Sequence, residues 1–494
     1  MVPNIRIQNQ NSAPVQRDGQ YVLYWMVTAR RPTWNFALQR AADYARELDR
    51  PLVIFEPLRV AYPWASDRMH VFVMQGMAAN AGRCRDRGVT YLPYIEAKGG
   101  AGKGLLATLA SQACVVVTDD YPTYFLPRMI GAAARASTVL LEAVDGNGLF
   151  PMRAADGVFA RAYDFRRFLQ KQLAPHLRSL PDPDPLMNLP SGNPKLPARL
   201  MERWSFASSQ SLQDAARTAS SLPIDHRVVP ADVAGGFESG AAAMEKFVRE
   251  RLARYGVERN HPDAEVASGL SPYLHFGHVS AHQVADAVWK SEGWTTDRVA
   301  DKANGAKQGW WNLSEPAESF LDELVTWREL GFNMASQRED HDTYEALPAW
   351  ARATLEEHAD DPREHIYDLD AFERAQTHDP IWNAAQTELV REGHMHNYLR
   401  MLWGKNILAW SESPRAALEV MIELNNKYAL DGRDPNSVSG IFWVLGRYDR
   451  AWGPERPVFG KVRFMTSSST RKKLRLIQYL QRYGAPEQPE LSLG

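Results

Sequence analysis

The run YVLYWMV at residues 21–27, followed by NFALQRAADYARELD at 35–49 and PLVIFEPL at 51–58, decides the architecture of the N-terminal part of the chain. The first and third stretches are short, nearly continuous apolar runs rich in β-branched and aromatic residues, as expected of strands buried on both faces. The stretch between them carries apolar residues at helical period. Strand, helix and strand in that order make a βαβ unit, which implies a parallel sheet. The alternation continues through VTYLPYI (89–95), CVVVTD (114–119) and TVLLEAV (138–144). An α/β domain with a doubly wound parallel sheet is therefore expected over 21–150, after an N-terminal extension at 1–20. The first strand is not followed by GxGxxG, so a dinucleotide fingerprint is absent. The carboxyl ends of the strands still offer a place for a ligand.

Residues 151–240 read as a linker or crossover, and PDPDPLMNLPSGNPKLP (181–197) is too rich in proline to continue a regular element. From 241 to 494 helical patterns dominate: SAHQVADAVWKS, SFLDELVTWRELGFNMAS, WNAAQTELVREG, HNYLRMLWGKNILAWS and RAALEVMIELNNKY. This half is expected to be an all-α domain. Eleven of the fifteen tryptophans fall between Trp289 and Trp452. Trp403 and Trp410 are two helical turns apart and project from one face of one helix, and Trp382 opens the preceding helical segment. Such a row suits a redox chain running from a buried cofactor to the surface. Core filling is the plain alternative, because each indole buries a large apolar area.

At 494 residues the chain is long enough for two to four domains. It has no apolar run long enough to span a bilayer, and its start lacks the basic and apolar segments of a secretory signal. A membrane partner is not expected; a cytoplasmic location, or a nuclear one in a nucleated cell, is. Cys84 and Cys114 stand without a CxxC or Cys/His cluster, which argues against disulfide scaffolds and metal sites. The net charge of −2 excludes a generally basic nucleic-acid coat, so any such contact must use a local patch. KVRFMTSSSTRKKLRL (461–476) is the candidate, against the alternative of a solvated helix face.

Four segments, in this order, carry a resemblance: SGLSPYLHFGHVS (268–280); SFLDELVTWREL (319–330); THDPIWNAAQ with GHMHNYLRMLWGKNILAW (377–410); and LNNKYALDGRDPNSVSGIFW with DRAWGPERPVFGKVRFM (424–465). They resemble the class II cyclobutane pyrimidine dimer photolyases of the photolyase and cryptochrome family, over nearly the whole chain. The resemblance implies an antenna-type α/β domain, a long linker, a helical domain holding FAD non-covalently, and UV-damaged DNA as the partner of a monomeric enzyme. Whether a second antenna chromophore, a deazaflavin or a folate, binds is left open.

By position in the family, Tyr255, Ser268, Gly269, Leu270, Ser271, Leu274, Arg328, Arg400, Asn425, Asp431 and Asp449 would contact the cofactor. The SGLSPYLHFG turn gathers hydroxyls and N–H groups where a pyrophosphate could sit, although by itself it reads as a helix cap. Arg400 and Asp431 would pair beside the flavin, where a guanidinium stabilises negative charge. Asn425 would face flavin N5 and hydrogen-bond to it without carrying charge. Glu323, Trp327, Met401 and Trp443 match the lesion pocket for a flipped-out dimer. Taken alone, Glu323 would be a solvated carboxylate. Trp382, Trp403 and Trp410 match the positions that photoreduce the flavin, with Trp403 or Trp382 nearest to it. Lys461, Arg463 and Trp452 would serve the space left by the flipped dimer. His394 departs from the family pattern, as do Arg447 and Tyr448. A light sensor without repair activity is the rival reading, opposed by the lesion residues and by the short stretch after Tyr483. Repair of (6-4) photoproducts is a second rival, and it would need histidine acid catalysis.

Overall fold

Strand β2 (Tyr21–Trp25) is buried at every position, and the alternation of its side chains shows why an unbroken apolar run was needed. Val22 and Tyr24 pack with helix α1 (Phe36–Leu48). Tyr21, Leu23 and Trp25 pack on the opposite face with Leu105, Leu109 and Ile130, from the helices Leu105–Ala110 and Leu126–Ala136. In this computed structural model, which describes residues 1–484, β2 is joined by β3 (Leu52–Leu58), β4 (Thr90–Ile95), β5 (Ala113–Asp119) and β6 (Leu141–Val144). With β1 at Ile7–Asn9, the sheet order is β1-β6-β5-β2-β3-β4. Strands β2 to β6 are parallel, so the doubly wound α/β class is observed, with its order reversing between β2 and β5.

The N-terminal extension holds one strand. Ile7–Asn9 forms β1, antiparallel to β6 with Ile7 opposite Val144. Three residues of mixed polarity on an edge have no readable period. What fixes this segment is remote: the buried Arg6 guanidinium donates to the carbonyls of Asp145 (3.2 Å) and Leu149 (2.8 Å).

Residues 181–197 hold no helix or strand, and no strand follows Val144 among the described residues. Local caps set several helix ends. Ser280 accepts from Gln283 N–H ahead of Ala281–Ser291, Asp379 from Ile381 and Trp382 N–H ahead of Pro380–Glu392, and Ser413 from Ala416 N–H ahead of Pro414–Tyr428. Gly393, in the left-handed region, ends Pro380–Glu392. The stretch expected as one helix over 319–336 is instead Glu315–Leu321, one π-helical segment at Asp322–Trp327, and Arg328–Gln337. No helix of the described residues is long and apolar enough to cross a membrane. Cys84 and Cys114 are free and buried. The end of the short stretch after Tyr483 lies outside the described residues.

The chain forms two compact units. One comprises Met1–Leu252, Ser268–Glu339 and Arg433–Asn436; the other comprises Ala253–Ala267, Asp340–Gly432 and the chain from Ser437 on.

Candidate functional site

In the first unit, the sheet's order reverses beside a nearly filled crevice. Asp119, at the end of β5, accepts from the N–H groups of Val27, Thr28 and Ala29 at 2.7–3.0 Å and from the Tyr24 hydroxyl at 2.7 Å. The remaining cavity is about 30 Å³, lined in part by Asn35, Asn147, Leu274 and Arg328, and a volume of this size suits ordered water. The backbone at Gly269 is left-handed and open space surrounds the position of a Cβ. Ser268 Oγ accepts from Leu270 N–H at 3.3 Å, and Ser271 begins the short helix Ser271–His275. His275 Nδ1 lies 3.5 Å from Asp434, which also accepts from the Tyr121 hydroxyl at 3.1 Å. Burial pushes the Asp434 carboxyl up, but the His275 bond and the Arg328 charge outweigh it and hold the group below its usual range.

The π-helical segment sorts its carboxylates. Asp322 is buried and takes both arms of Arg166, at 2.6 and 2.9 Å, while Glu323 and Trp327 remain half-buried. Arg166 comes from the helix Ala162–Gln172. Arg328 donates to the Asn147 carbonyl at 2.6 Å. Its neighbour Glu329 accepts from Leu149 and Phe150 N–H at 2.7 and 3.0 Å. Burial pushes the Glu329 carboxyl up to about 7 against those bonds.

The eleven clustered tryptophans do not form one group. Trp289, Trp294, Trp310 and Trp311 pack together in the first unit, with successive ring centroids 4.8–5.7 Å apart. These four are buried, so for them core filling is the role observed.

In the second unit, Trp382, Trp403 and Trp410 form a separate row. Trp382 is central, its ring lying parallel to Trp403 at 6.4 Å and at 66° to Trp410 at 6.0 Å. Trp382 Nε1 donates to the Trp403 carbonyl at 3.0 Å, and Trp403 Nε1 donates to Gln386 Oε1 at 2.9 Å. Trp382 and Trp403 are buried, whereas Trp410 is part-exposed beside His378 at 4.8 Å. The row therefore leads outward through Trp410. Arg400, one turn before Trp403 on the Asn397–Trp410 helix, holds Asp431 with both arms at 3.1 and 3.2 Å.

Asn425 is buried, and its amide donates to Ser437 Oγ at 2.9 Å and to Asn426 Oδ1 at 3.1 Å. With both amide hydrogens engaged, Oδ1 is the atom that can accept from a ligand N–H. Tyr255 is half-buried and lies 5.7 Å from the Arg259 guanidinium. Met401 Cε lies 3.9 Å from where a Cβ on Gly440 would sit. Asp449 accepts from Arg463 at 2.7 and 3.2 Å and from Trp452 Nε1 at 3.2 Å. Asp449 thus anchors Arg463, a partnership not anticipated from the sequence. The Arg463 guanidinium sits 4.1 Å from the Trp452 ring and 5.6 Å from the Trp443 ring. Lys461 is exposed and pairs with Glu455 at 2.9 Å. His394 pairs with buried Glu388 at 3.1 Å, and Glu388 also accepts from the Tyr479 hydroxyl at 2.6 Å.

Sequence reasoning missed Arg166, Asp322, Gln386 and Lys405. Lys405 left one signal, a cation in the apolar run MLWGKNILAW. Arg166 left none, because its partner is 156 positions away. No metal-binding group of side chains occurs among the described residues.

No family model matches the chain. It is 32% identical to the deoxyribodipyrimidine photo-lyase of Methanothermobacter thermautotrophicus, over 98% of both chains. It is 31% identical to that of Arabidopsis thaliana, over 96% of this chain and 91% of the relative. It is 30% identical to that of Potorous tridactylus, over 94% and 81%. A class III photolyase from Agrobacterium tumefaciens shares the fold, with a TM-score of 0.67 at 16% identity over 96% of this chain and 86% of that one. So does a cryptochrome from Synechocystis, with a TM-score of 0.64 at 16% identity over 94% and 88%. With full-length relatives at these identities, the chain belongs to the deoxyribodipyrimidine photo-lyase family.

Proposed function

We propose that the protein is a light-driven DNA repair enzyme that binds FAD non-covalently and splits cyclobutane pyrimidine dimers. The observation that carries this reading is the Trp403–Trp382–Trp410 row, which begins one helical turn from the Arg400–Asp431 pair. When bound, the reduced flavin supplies light absorption and one-electron exchange with the dimer.

The chain's own residues supply position and electrostatics. Arg400, restrained by Asp431, brings a positive charge that favours an anionic ring. Asn425 Oδ1 is free to accept from a ring N–H, which fits the donors of a reduced isoalloxazine. By the resemblance, Ser268, Gly269, Leu270, Ser271, Leu274 and Arg328 of the first unit and Tyr255 of the second would be cofactor contacts; the open space at Gly269 lets a ligand approach the backbone. Trp327, and separately Trp443, would each offer a flipped base a ring to stack on, worth roughly 1–3 kcal/mol per base. Met401 would give that pocket an adaptable wall, and Glu323 would hydrogen-bond the pyrimidine edge. Arg463 and Trp452 would fill the opened duplex, with Lys461 at phosphate. The enzyme would act as a monomer on DNA in the cytoplasm or nucleus.

The test is to incubate the purified, chemically reduced protein with dimer-containing DNA under blue light and in the dark, and to count restored thymines. Light-dependent restoration, with equimolar FAD released on denaturation, is expected. Flavin without restoration would instead favour a light sensor, and a preparation that never takes up flavin would overturn the reading.

A further inference from the structure

Lys405 lies on the Asn397–Trp410 helix between Trp403 and Trp410, and its side chain is wholly removed from solvent. Its ammonium donates to the Val444 carbonyl at 2.5 Å and stands 5.0 Å from the centre of the Trp443 ring. A buried charge with so few hydrogen bonds is costly, and burial lowers the Lys405 pKa to about 7, opposed by Asp449 and reinforced by Arg463. Trp443 therefore meets two cations, Lys405 and Arg463. Trp452 meets Arg450 and Arg463. Among the described residues, Trp382, Trp403 and Trp410 have no cation over their rings. The N–H groups of Trp382 and Trp403 instead point at carbonyl oxygens.

These surroundings act in opposite directions on electron loss. A neighbouring cation repels the positive charge that an indole acquires on oxidation, and the repulsion is weakly screened away from water. An oxygen accepting the indole N–H favours that charge. We propose that Lys405 directs one-electron oxidation within this unit: its ammonium beside Trp443 suppresses electron loss there, so that the electron is drawn from the Trp403–Trp382–Trp410 row. The step moves one electron and breaks no bond; the oxidant gains the electron and the indole becomes a radical cation. The inference rests on the proposed function in naming a photoexcited isoalloxazine as the natural oxidant and in placing Trp443 at the lesion. Lys405 is a positioning residue, and its value would be to spare an indole that must stay intact at the lesion.

The test uses an external oxidant, so it can fail without touching the repair reading. Flash-generated ruthenium(III) tris-bipyridine takes electrons from the full-length protein. The resulting indole radicals, after losing the N–H proton, are trapped by dissolved oxygen and located by peptide mass spectrometry. Trp452 is the internal reference, since the cations over its ring are Arg450 and Arg463 and not Lys405. Lys405→Gln retains a donor for the Val444 carbonyl but removes the charge, whereas Lys405→Arg retains both. Oxidation at Trp443 relative to Trp452 should rise at least about threefold in Lys405→Gln, the direction set by Coulomb repulsion, and return toward the wild-type ratio in Lys405→Arg. An unchanged ratio in a folded Lys405→Gln protein overturns the proposal. A second measurement needs no variant. Raising the pH of the wild-type protein from 6 to 9 discharges Lys405 while Asp449, held below its usual range, stays ionised, so the same ratio should climb through neutrality. A flat profile also overturns it.

Discussion

Trp382 touches both of its partners, so replacing it tests the row more directly than replacing either end. Phenylalanine fills most of the space but is far harder to oxidise. Trp382→Phe should therefore slow photoreduction of oxidised flavin at least about tenfold, the equivalent of roughly 1.4 kcal/mol of barrier. Light-driven repair by chemically reduced enzyme should be retained, because under the proposed function the row serves only to reload the cofactor. Following flavin absorbance under continuous light, with and without a chemical reductant, checks both halves. Trp403→Phe adds a separate stability cost of about 1–3 kcal/mol, since Gln386 Oε1 loses its N–H donor inside the core. A shift of the urea midpoint measures it. The Trp403–Trp410 pair could be read from a seven-residue spacing within one helix. The place of Trp382 between them could not, because it depends on how two helices pack.

At the scale of elements, the π-helical segment is where sequence and structure part most clearly. SFLDELVTWREL has the apolar spacing of an unbroken helix, and a widened turn leaves no mark on composition. Its effect is to bury Asp322 against Arg166 while Glu323 and Trp327 stay half-buried, in keeping with the tendency of π-bulges to occur at functional sites. Asp322→Ala removes one member of a buried pair and leaves a buried guanidinium without its carboxylate. The expected cost is about 3–5 kcal/mol, read from urea denaturation. Repair should fall more steeply than flavin content if this turn orients Glu323 and Trp327; parallel losses would mean that the turn serves stability alone.

Two consequences belong to the whole molecule. Glu329 is buried with its pKa raised from 4.5 to about 7, so between those values the folded protein holds a proton that the unfolded chain has released. Its contribution is fully favourable below pH 4.5, declines as pH rises towards 7, and is then flat, a loss on the order of 3 kcal/mol. Glu329→Gln, which keeps one acceptor for the Leu149 and Phe150 N–H groups, should flatten that part of the pH–stability curve. Urea midpoints at pH 5 and 7.5 check it. DNA binding is the second consequence. A chain of net charge −2 must meet phosphates through a local patch, so affinity for dimer-containing duplex should fall as salt rises. Arg463→Ala should cost about 1–3 kcal/mol of lesion affinity, and more on damaged than on undamaged duplex, as titrations on both substrates would show. Equal losses would make Arg463 an ordinary phosphate contact.

What the sequence determined by itself is what local physics decides. Nearly continuous apolar runs at 21–27 and 51–58 demanded strands covered on both faces, the alternation with helices demanded parallel pairing, and the helical period of segments such as 35–49 marked which stretches coil. Tertiary structure alone decided the sheet's order, the recruitment of Ile7–Asn9 to its edge, the division of the tryptophans into a packed core and a separate row, and the burial of Lys405 beside Trp443. Each of these joins residues remote in the chain or on different elements. Their energies come from contacts and charges that exist only once the elements have packed, and no periodicity within a segment records them.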